Sequence, residues 1–266
     1  MPRELISKDF WFIVLLVCAI QAFAVSGCSS RGGERDVVPK SLLPSDKQDE
    51  MRQILADTDY MRKAARYRFG EKYGEEAVPF MIEKVFETYE LGSDWKHPAL
   101  YSIACNLILS LGEMGDERVF AALQMWLVDK KYRVFRSSAA YALGELGDED
   151  AIDDLWRIWR EEKSYLYKGD DEGPWPFFGY HPSGCYVHRV LSEVGEALYK
   201  LGEARVVGEI IEVAELSREK GWSSGYKNMI WTLRKIGGMD LSESSYDIQY
   251  WIDWWGKNRS KYVAGN

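Results

Sequence analysis

LGELGDEDAIDDL (residues 143–155) is a close copy of LGEMGDERVFAAL (residues 111–123), written earlier in the same chain. Aligned at Gly112 and Gly144, the two copies define a template. Before the glycine, Leu107, Ile108 and Leu111 match Ala139, Ala140 and Leu143, an i, i+1, i+4 spacing that marks one face of a helix. After it, Val119, Phe120, Leu123, Trp126 and Leu127 match Ala151, Ile152, Leu155, Ile158 and Trp159, the face of a second amphipathic helix. Between the helices, Gly112 and Gly144 are expected to end the first helix in a left-handed conformation, and Gly115 and Gly147 to let the chain reverse. Asp116 and Asp148 are expected to cap the second helix, with Glu117, Glu149 and Asp150 placing negative charge in its first turn.

A single helical hairpin cannot bury its apolar stripe, so further copies are expected. FGEKYGE (residues 69–75) matches the turn upstream, followed by Ala77, Val78, Met81 and Val85. Leu201-Gly202-Glu203 matches downstream with a turn three residues shorter, followed by Val206, Val207, Ile210, Val213 and Ala214. Ile236-Gly237-Gly238 is a more degenerate fifth copy after a helix over residues 226–235. About five helical pairs over residues 46–266 make an all-α fold, an α-solenoid. A last helix, SSYDIQYWIDWWGKN, lies in a Trp-rich cap over residues 244–259 with Ile248, Trp251, Ile252 and Trp255 on one face. These rings are read as the seal of the solenoid, with an exposed aromatic patch as the other reading.

The strings LGEMGDERVFAAL and LGELGDEDAIDDL resemble HEAT-like repeats of the phycobilisome-lyase type. The resemblance covers about 200 residues and implies the solenoid fold; it implies little about function, because such repeats serve many tasks. Bilin handling, which the lyase resemblance would imply, does not suit an exported chain.

The N-terminus reads as an address. Residues 11–25, WFIVLLVCAIQAFAV, form an apolar core shorter than a membrane-spanning helix needs, and small residues follow it. Val25-Ser26-Gly27-Cys28 resembles the bacterial lipobox. That resemblance implies a signal peptide over residues 1–27 and a lipidated Cys28 as the mature N-terminus, anchored to the membrane through its acyl chains. An ordinary cleaved signal peptide and a short uncleaved anchor are the other readings. Ser29 after the cysteine resembles the outer-membrane class of lipoproteins, which puts the protein in the bacterial cell envelope, facing the periplasm. Residues 28–45, rich in Gly, Ser, Pro and charge, read as a flexible tether; about 18 such residues span roughly 25 Å.

A formal net charge of −8 and the lack of a Lys/Arg block argue against a nucleic-acid partner. No GxxxxGK or HExxH motif occurs, and no cofactor is expected. Cys105 sits in a helical apolar pattern, where a buried free thiol is the common case; Cys185 is read as a loop residue, and a bridge between them is the lesser reading.

One stretch breaks the repeat. The helix after Asp148 is expected to end near Lys163 and the next to begin near Val187, which leaves an insertion over residues 164–188. It carries Asp170, Asp171, Glu172, Trp175, Phe177, Phe178, Tyr180 and His181. Three readings stand: aromatics packed on the repeat, a binding loop for a protein or peptide or a glycan, and a metal site or metal-dependent enzyme at His181, Cys185 and His188. Trp156 lies off the core stripe of its helix, and is expected either to project into the groove lined by the second helices or to pack on the insertion. The sequence is thus read as a non-enzymatic envelope lipoprotein that acts as a scaffold for a protein or peptide partner.

Overall fold

The computed structural model describes residues 44–56, 72–91, 98–168, 185–237 and 247–263. Among these residues there are ten α-helices and no strand. They are α1 (Ser45–Ala56), α2 (Val78–Leu91), α3 (Pro98–Met114), α4 (Phe120–Val128), α5 (Arg136–Leu146), α6 (Ile152–Tyr167), α7 (Cys185–Lys200), α8 (Val206–Glu219), α9 (Ser223–Ile236) and α10 (Ile248–Val263). No helix of the described residues is long and apolar enough to cross a membrane.

The fold is an all-α solenoid. First helices form one row, α3 on α5, α5 on α7 and α7 on α9. Second helices form the other, with α4 against α6 and α8 against α10. Each second helix also packs on the first helix that follows it: α2 on α3, α4 on α5, α6 on α7 and α8 on α9. The core lies between the rows and contains the template residues. Leu107, Ile108, Leu111, Ala139, Ala140, Leu143, Val119, Leu123, Trp126, Leu127, Leu155, Ile158 and Trp159 are all buried. Phe120 and Ile152, the first residues of their helices, are only half-buried.

The turn works differently from the expectation at one point. Gly112 and Gly144 do not end their helices; both lie inside them, in α3 and α5. The left-handed residues are Gly115 and Gly147, at φ 68° and 76°. Gly112 and Gly144 serve packing instead. A Cβ on Gly112 would lie 2.4 Å from Ala142 Cα, and one on Gly144 would lie 2.8 Å from Ala197 Cα, so successive first helices touch backbone to backbone there. The caps are as expected: Asp116 and Asp148 each accept a backbone N–H two residues on, at 2.9 Å. Each cap opens a short 3₁₀ turn, Glu117–Val119 or Glu149–Ala151, which leads into the helix.

That distinction corrects the next copy. Gly202 has φ 90°, so it is the counterpart of Gly147 rather than of Gly144, and the turn is not shortened. The step from Gly147 to Gly202 equals the step from Ala142 to Ala197, both of which sit against a neighbouring first helix. The same step carries Lys130 to Cys185, and the step from Gly112 to Gly144 carries Pro98 to Lys130, so Pro98, Lys130 and Cys185 are equivalent starts. In the middle unit the first residues, Lys130–Phe135, are 3₁₀ with a kink at Tyr132 before α5 begins.

The insertion is shorter than expected. Residue 164 is helical and α6 runs on to Tyr167, while α7 begins at Cys185, which therefore belongs to a helix and not a loop. The helix before the fifth turn is also longer than residues 226–235. At the C-terminal end, Ile248 and Trp251 are buried, whereas Ile252 and Trp255 are half-buried. Trp255 lies over Gly208 of α8, where a Cβ would come within 3.0 Å of its indole nitrogen. Cys105 is a buried free thiol; burial pushes it up, against hydrogen bonds with Ser138 and Tyr101 that pull it down.

Candidate functional site

The seam between α6 and α8 holds the one expected binding residue that the structure describes, Trp156. From α6, Trp156, Trp159, Lys163 and Tyr167 fall on one helical face. Trp156 Nε1 donates to Glu203 Oε2 at 2.8 Å, and the Arg205 guanidinium lies 4.8 Å from its ring. Arg205 Nε also donates to Glu203, at 2.7 Å. Trp156 is therefore not free in a groove; it binds the turn of the next repeat. Its Nε1–H needs an acceptor when half-buried, and the turn supplies a carboxylate. One turn on, Trp159 Nε1 donates to Glu209 at 3.3 Å, and Lys163 bridges Glu209 and Glu212 at 2.7 and 2.8 Å. Tyr167, 57% exposed, donates its hydroxyl to Glu212. Burial pulls the Lys163 ammonium down, but the two glutamates carry it above its ordinary value. Burial raises Glu212, and the Lys163 and Tyr167 hydrogen bonds outweigh that and lower it. Between α4 and α6 the seam continues with Gln124 donating to Asp154 at 2.7 Å.

A second polar cluster lies where the insertion leaves and re-enters the stack. Arg133 makes a two-point pair with Glu162 at 3.1 and 2.8 Å, and Arg136 donates to the same carboxylate at 2.6 Å. Arg136 and Glu162 are fully buried. Arg136 also donates to the Leu127 carbonyl at 3.0 Å and to Glu161 at 3.1 Å. The Arg133 guanidinium lies 4.6 Å from the Tyr165 ring and 5.6 Å from that of Tyr186, whose hydroxyl donates to the Arg133 carbonyl. Burial pulls Arg133 down, and Glu162 carries it above its ordinary value. Two cations held by one buried carboxylate tolerate loss of that carboxylate badly, because charge left buried without a partner is costly.

His188 answers to the same position one repeat later. Residues 133 and 188 are equivalent by the step from Lys130 to Cys185, as are 162 and 217. Arg133–Glu162 is thus replaced by His188–Ser217, with His188 Nε2 2.7 Å from Ser217 Oγ. Ser217 donates its hydroxyl proton to the Val213 carbonyl at 2.7 Å, so its oxygen accepts from the imidazole N–H. His188 is fully buried, edge-on to Trp222, and fills the space over Gly225, where a Cβ would lie 2.3 Å from Nε2. Its Nε2 is committed to Ser217, which removes that nitrogen from the expected His181, Cys185, His188 metal set. Among the described residues no group of His, Cys, Asp and Glu is placed to hold a metal ion.

Asp170, Asp171, Trp175, Phe177, Phe178, Tyr180 and His181 lie outside the described residues, as does Cys28. The binding-loop and glycan readings rest on them.

A third cluster was missed by the sequence reading. It crosses the solvent face of the first helices. Tyr141 on α5 contacts Glu113 of α3 at 3.5 Å. Lys200 of α7 bridges Glu145 at 2.5 Å and Glu196 at 2.8 Å, and Lys235 of α9 reaches the same Glu196 oxygen at 2.5 Å. The two ammonium groups lie 5.0 and 5.7 Å from the Tyr141 ring, and Lys235 lies 5.1 Å from that of Trp231. Trp231 is 44% exposed. Its signal was spread over four helices, at spacings no local motif shows. Only the stacking order brings these residues together.

Searches of the curated proteins and of the solved structures find no match. Residues 99–169, which cover α3 to α6 and the two near-identical turns, match the family of HEAT repeats.

Proposed function

We propose that this protein is a non-enzymatic scaffold of the bacterial cell envelope, held to the membrane by lipid on Cys28 and presenting its repeat stack to a protein or peptide partner. The observation that carries the reading is the HEAT-type stack itself. Two rows of helices hold their side chains in register, and the polar groups of the second-helix seam are engaged in cross-repeat pairs rather than gathered in a reactive cleft. Such a surface offers area and shape to a partner, which is what repeat stacks supply. The lipobox-like Val25-Ser26-Gly27-Cys28 and the Gly/Ser/Pro-rich residues after it support the anchor and the tether.

The test is co-purification of the full-length chain from crosslinked envelopes of the native host, wild type against Trp156→Ala and against deletion of residues 169–184. A specific partner lost from either variant supports the reading; equal recovery from both removes the second-helix face and the insertion from it. Cys28→Ala should move the protein from the membrane to the soluble fraction and abolish labelling by a fatty-acid analogue. Unchanged membrane association would overturn the anchor.

A further inference from the structure

We propose that the solvent face of the first helices, centred on Glu193 and Trp231, is a docking surface for an extended protein segment carrying arginine or lysine. The proposal rests on the scaffold reading for the existence of a partner, and adds a second face and a partner chemistry to it.

The face is continuous. Glu113 on α3, Tyr141 and Glu145 on α5, Glu196 and Lys200 on α7, and Trp231 and Lys235 on α9 are linked across all four helices by the hydrogen bond, ion pairs and ring contacts above. Four helices at the usual packing distance span about 30 Å, which suits an extended segment of about nine residues. Both lysines are engaged with Glu196 and Glu145. Glu193 is different. It is half-buried, and among the described residues no ion pair or hydrogen bond reaches its carboxylate. Burial and then the neighbouring Glu196 hold its carboxyl above the ordinary range, against Lys235 of α9 and Arg189 and Lys200 of α7. Ser192 Oγ and Thr232 Oγ1, 2.5 Å apart, pin α7 to α9 at the residues next to Glu193 and Trp231. A half-buried carboxylate with no ion pair of its own, next in sequence to the α7–α9 pin as the exposed Trp231 indole is, forms a pairing that recognises a guanidinium or ammonium: the carboxylate supplies charge and the ring face supplies cation–π attraction. An incoming cation would also relieve the repulsion from Glu196.

The test uses the full-length chain and a fluorescent ten-residue peptide of alternating Arg and Ser, with the same peptide carrying citrulline for Arg as the neutral control. The wild type is expected to bind the Arg peptide and not the citrulline peptide. Glu193→Gln and Trp231→Ala should each weaken binding about five-fold, the loss of about 1 kcal/mol expected for such a contact. Glu219→Gln, which removes the same charge from the exposed end of α8, should change it less than two-fold. Wild-type affinity should rise with pH through the titration of Glu193, and that rise should vanish in Glu193→Gln. The surface is overturned if Glu219→Gln weakens binding as much as Glu193→Gln, which would mean diffuse attraction to an acidic protein, or if Glu193→Gln binds like the wild type. Absence of Arg-peptide binding also overturns it, while leaving the co-purification test of the scaffold to stand or fall separately.

Discussion

Replacing glycine by alanine should have opposite effects at Gly112 and Gly256, although both lie inside helices. At an exposed helical position the change adds about 1 kcal/mol of stability, because alanine loses less backbone freedom on folding and has the higher helix propensity. Gly256 in α10 meets nothing within 4 Å of an added Cβ, so this gain should appear in full. Gly112 receives the same gain and a clash against it. Its Cβ would lie 2.4 Å from Ala142 Cα, 2.6 Å from Ala142 Cβ and 2.7 Å from the Ala142 carbonyl oxygen. Carbon atoms in contact sit at about 3.5–4.0 Å, so α3 and α5 must separate by about 1 Å along that line. Two of the three obstructing atoms are backbone, and no rotamer change moves them. Forced separation of packed helices costs typically about 1–3 kcal/mol or more, and its upper part outweighs the propensity gain. Gly112→Ala should therefore lower stability by about 2 kcal/mol, or about 4–8 °C in Tm for a domain of this size, while Gly256→Ala raises Tm by about 2–4 °C. Urea and thermal unfolding followed by far-ultraviolet circular dichroism measure both, with an unchanged urea m-value required for the comparison. A Gly112→Ala chain as stable as Gly256→Ala would refute the close approach of the first helices. Gly115→Ala separates the two roles of glycine in one turn: nothing crowds its Cβ, yet φ of 68° should still cost about 1 kcal/mol.

Glu162→Ala should be the most damaging single change of those considered, at about 3–5 kcal/mol, because it leaves Arg133 and Arg136 buried without their shared carboxylate; chemical denaturation measures it, and a cost below about 1 kcal/mol would contradict the geometry. Asp148→Ala removes the cap of the 3₁₀ turn before α6 and should cost about 1 kcal/mol, read from the same unfolding curves. Glu193→Gln should be neutral in stability at low pH and stabilising at neutral pH. A carboxyl raised in the folded state binds its proton more tightly there than in the unfolded chain, so it favours folding while protonated and loses that advantage as pH rises through its folded value. Denaturation of wild type and variant across mildly acidic to neutral pH checks the sign; a variant less stable at neutral pH reverses it.

How much of this could be read from the chain follows from the range of each interaction. The caps at Asp116 and Asp148, the chain reversals at Gly115 and Gly147, and the buried stripes are local or periodic, and periodicity survives in a linear text. Two near-identical turns, one after Leu111 and one after Leu143, were therefore enough for the all-α repeat fold. The roles of Gly112 and Gly144 were misassigned because a helix end and a close helix contact both call for glycine, and only the neighbouring helix tells them apart. The same ambiguity misplaced Gly202 by three residues.

Side-chain partners came from stacking alone. Trp156 was legible as off the core stripe, but not that Glu203 and Arg205, in the turn of the next repeat, would take it. His188 looked like a metal ligand beside His181 and Cys185; the repeat step makes it instead the counterpart of Arg133, with Ser217 standing where Glu162 stands. The band from Glu113 to Trp231 has no sequence spacing at all, since its members come from four different helices. Local turn chemistry and apolar period belong to the sequence by itself. Which charges meet, and which half-buried carboxylate is left without an ion pair among the described residues, depends on the distance between neighbouring helices, and only the tertiary structure decides it.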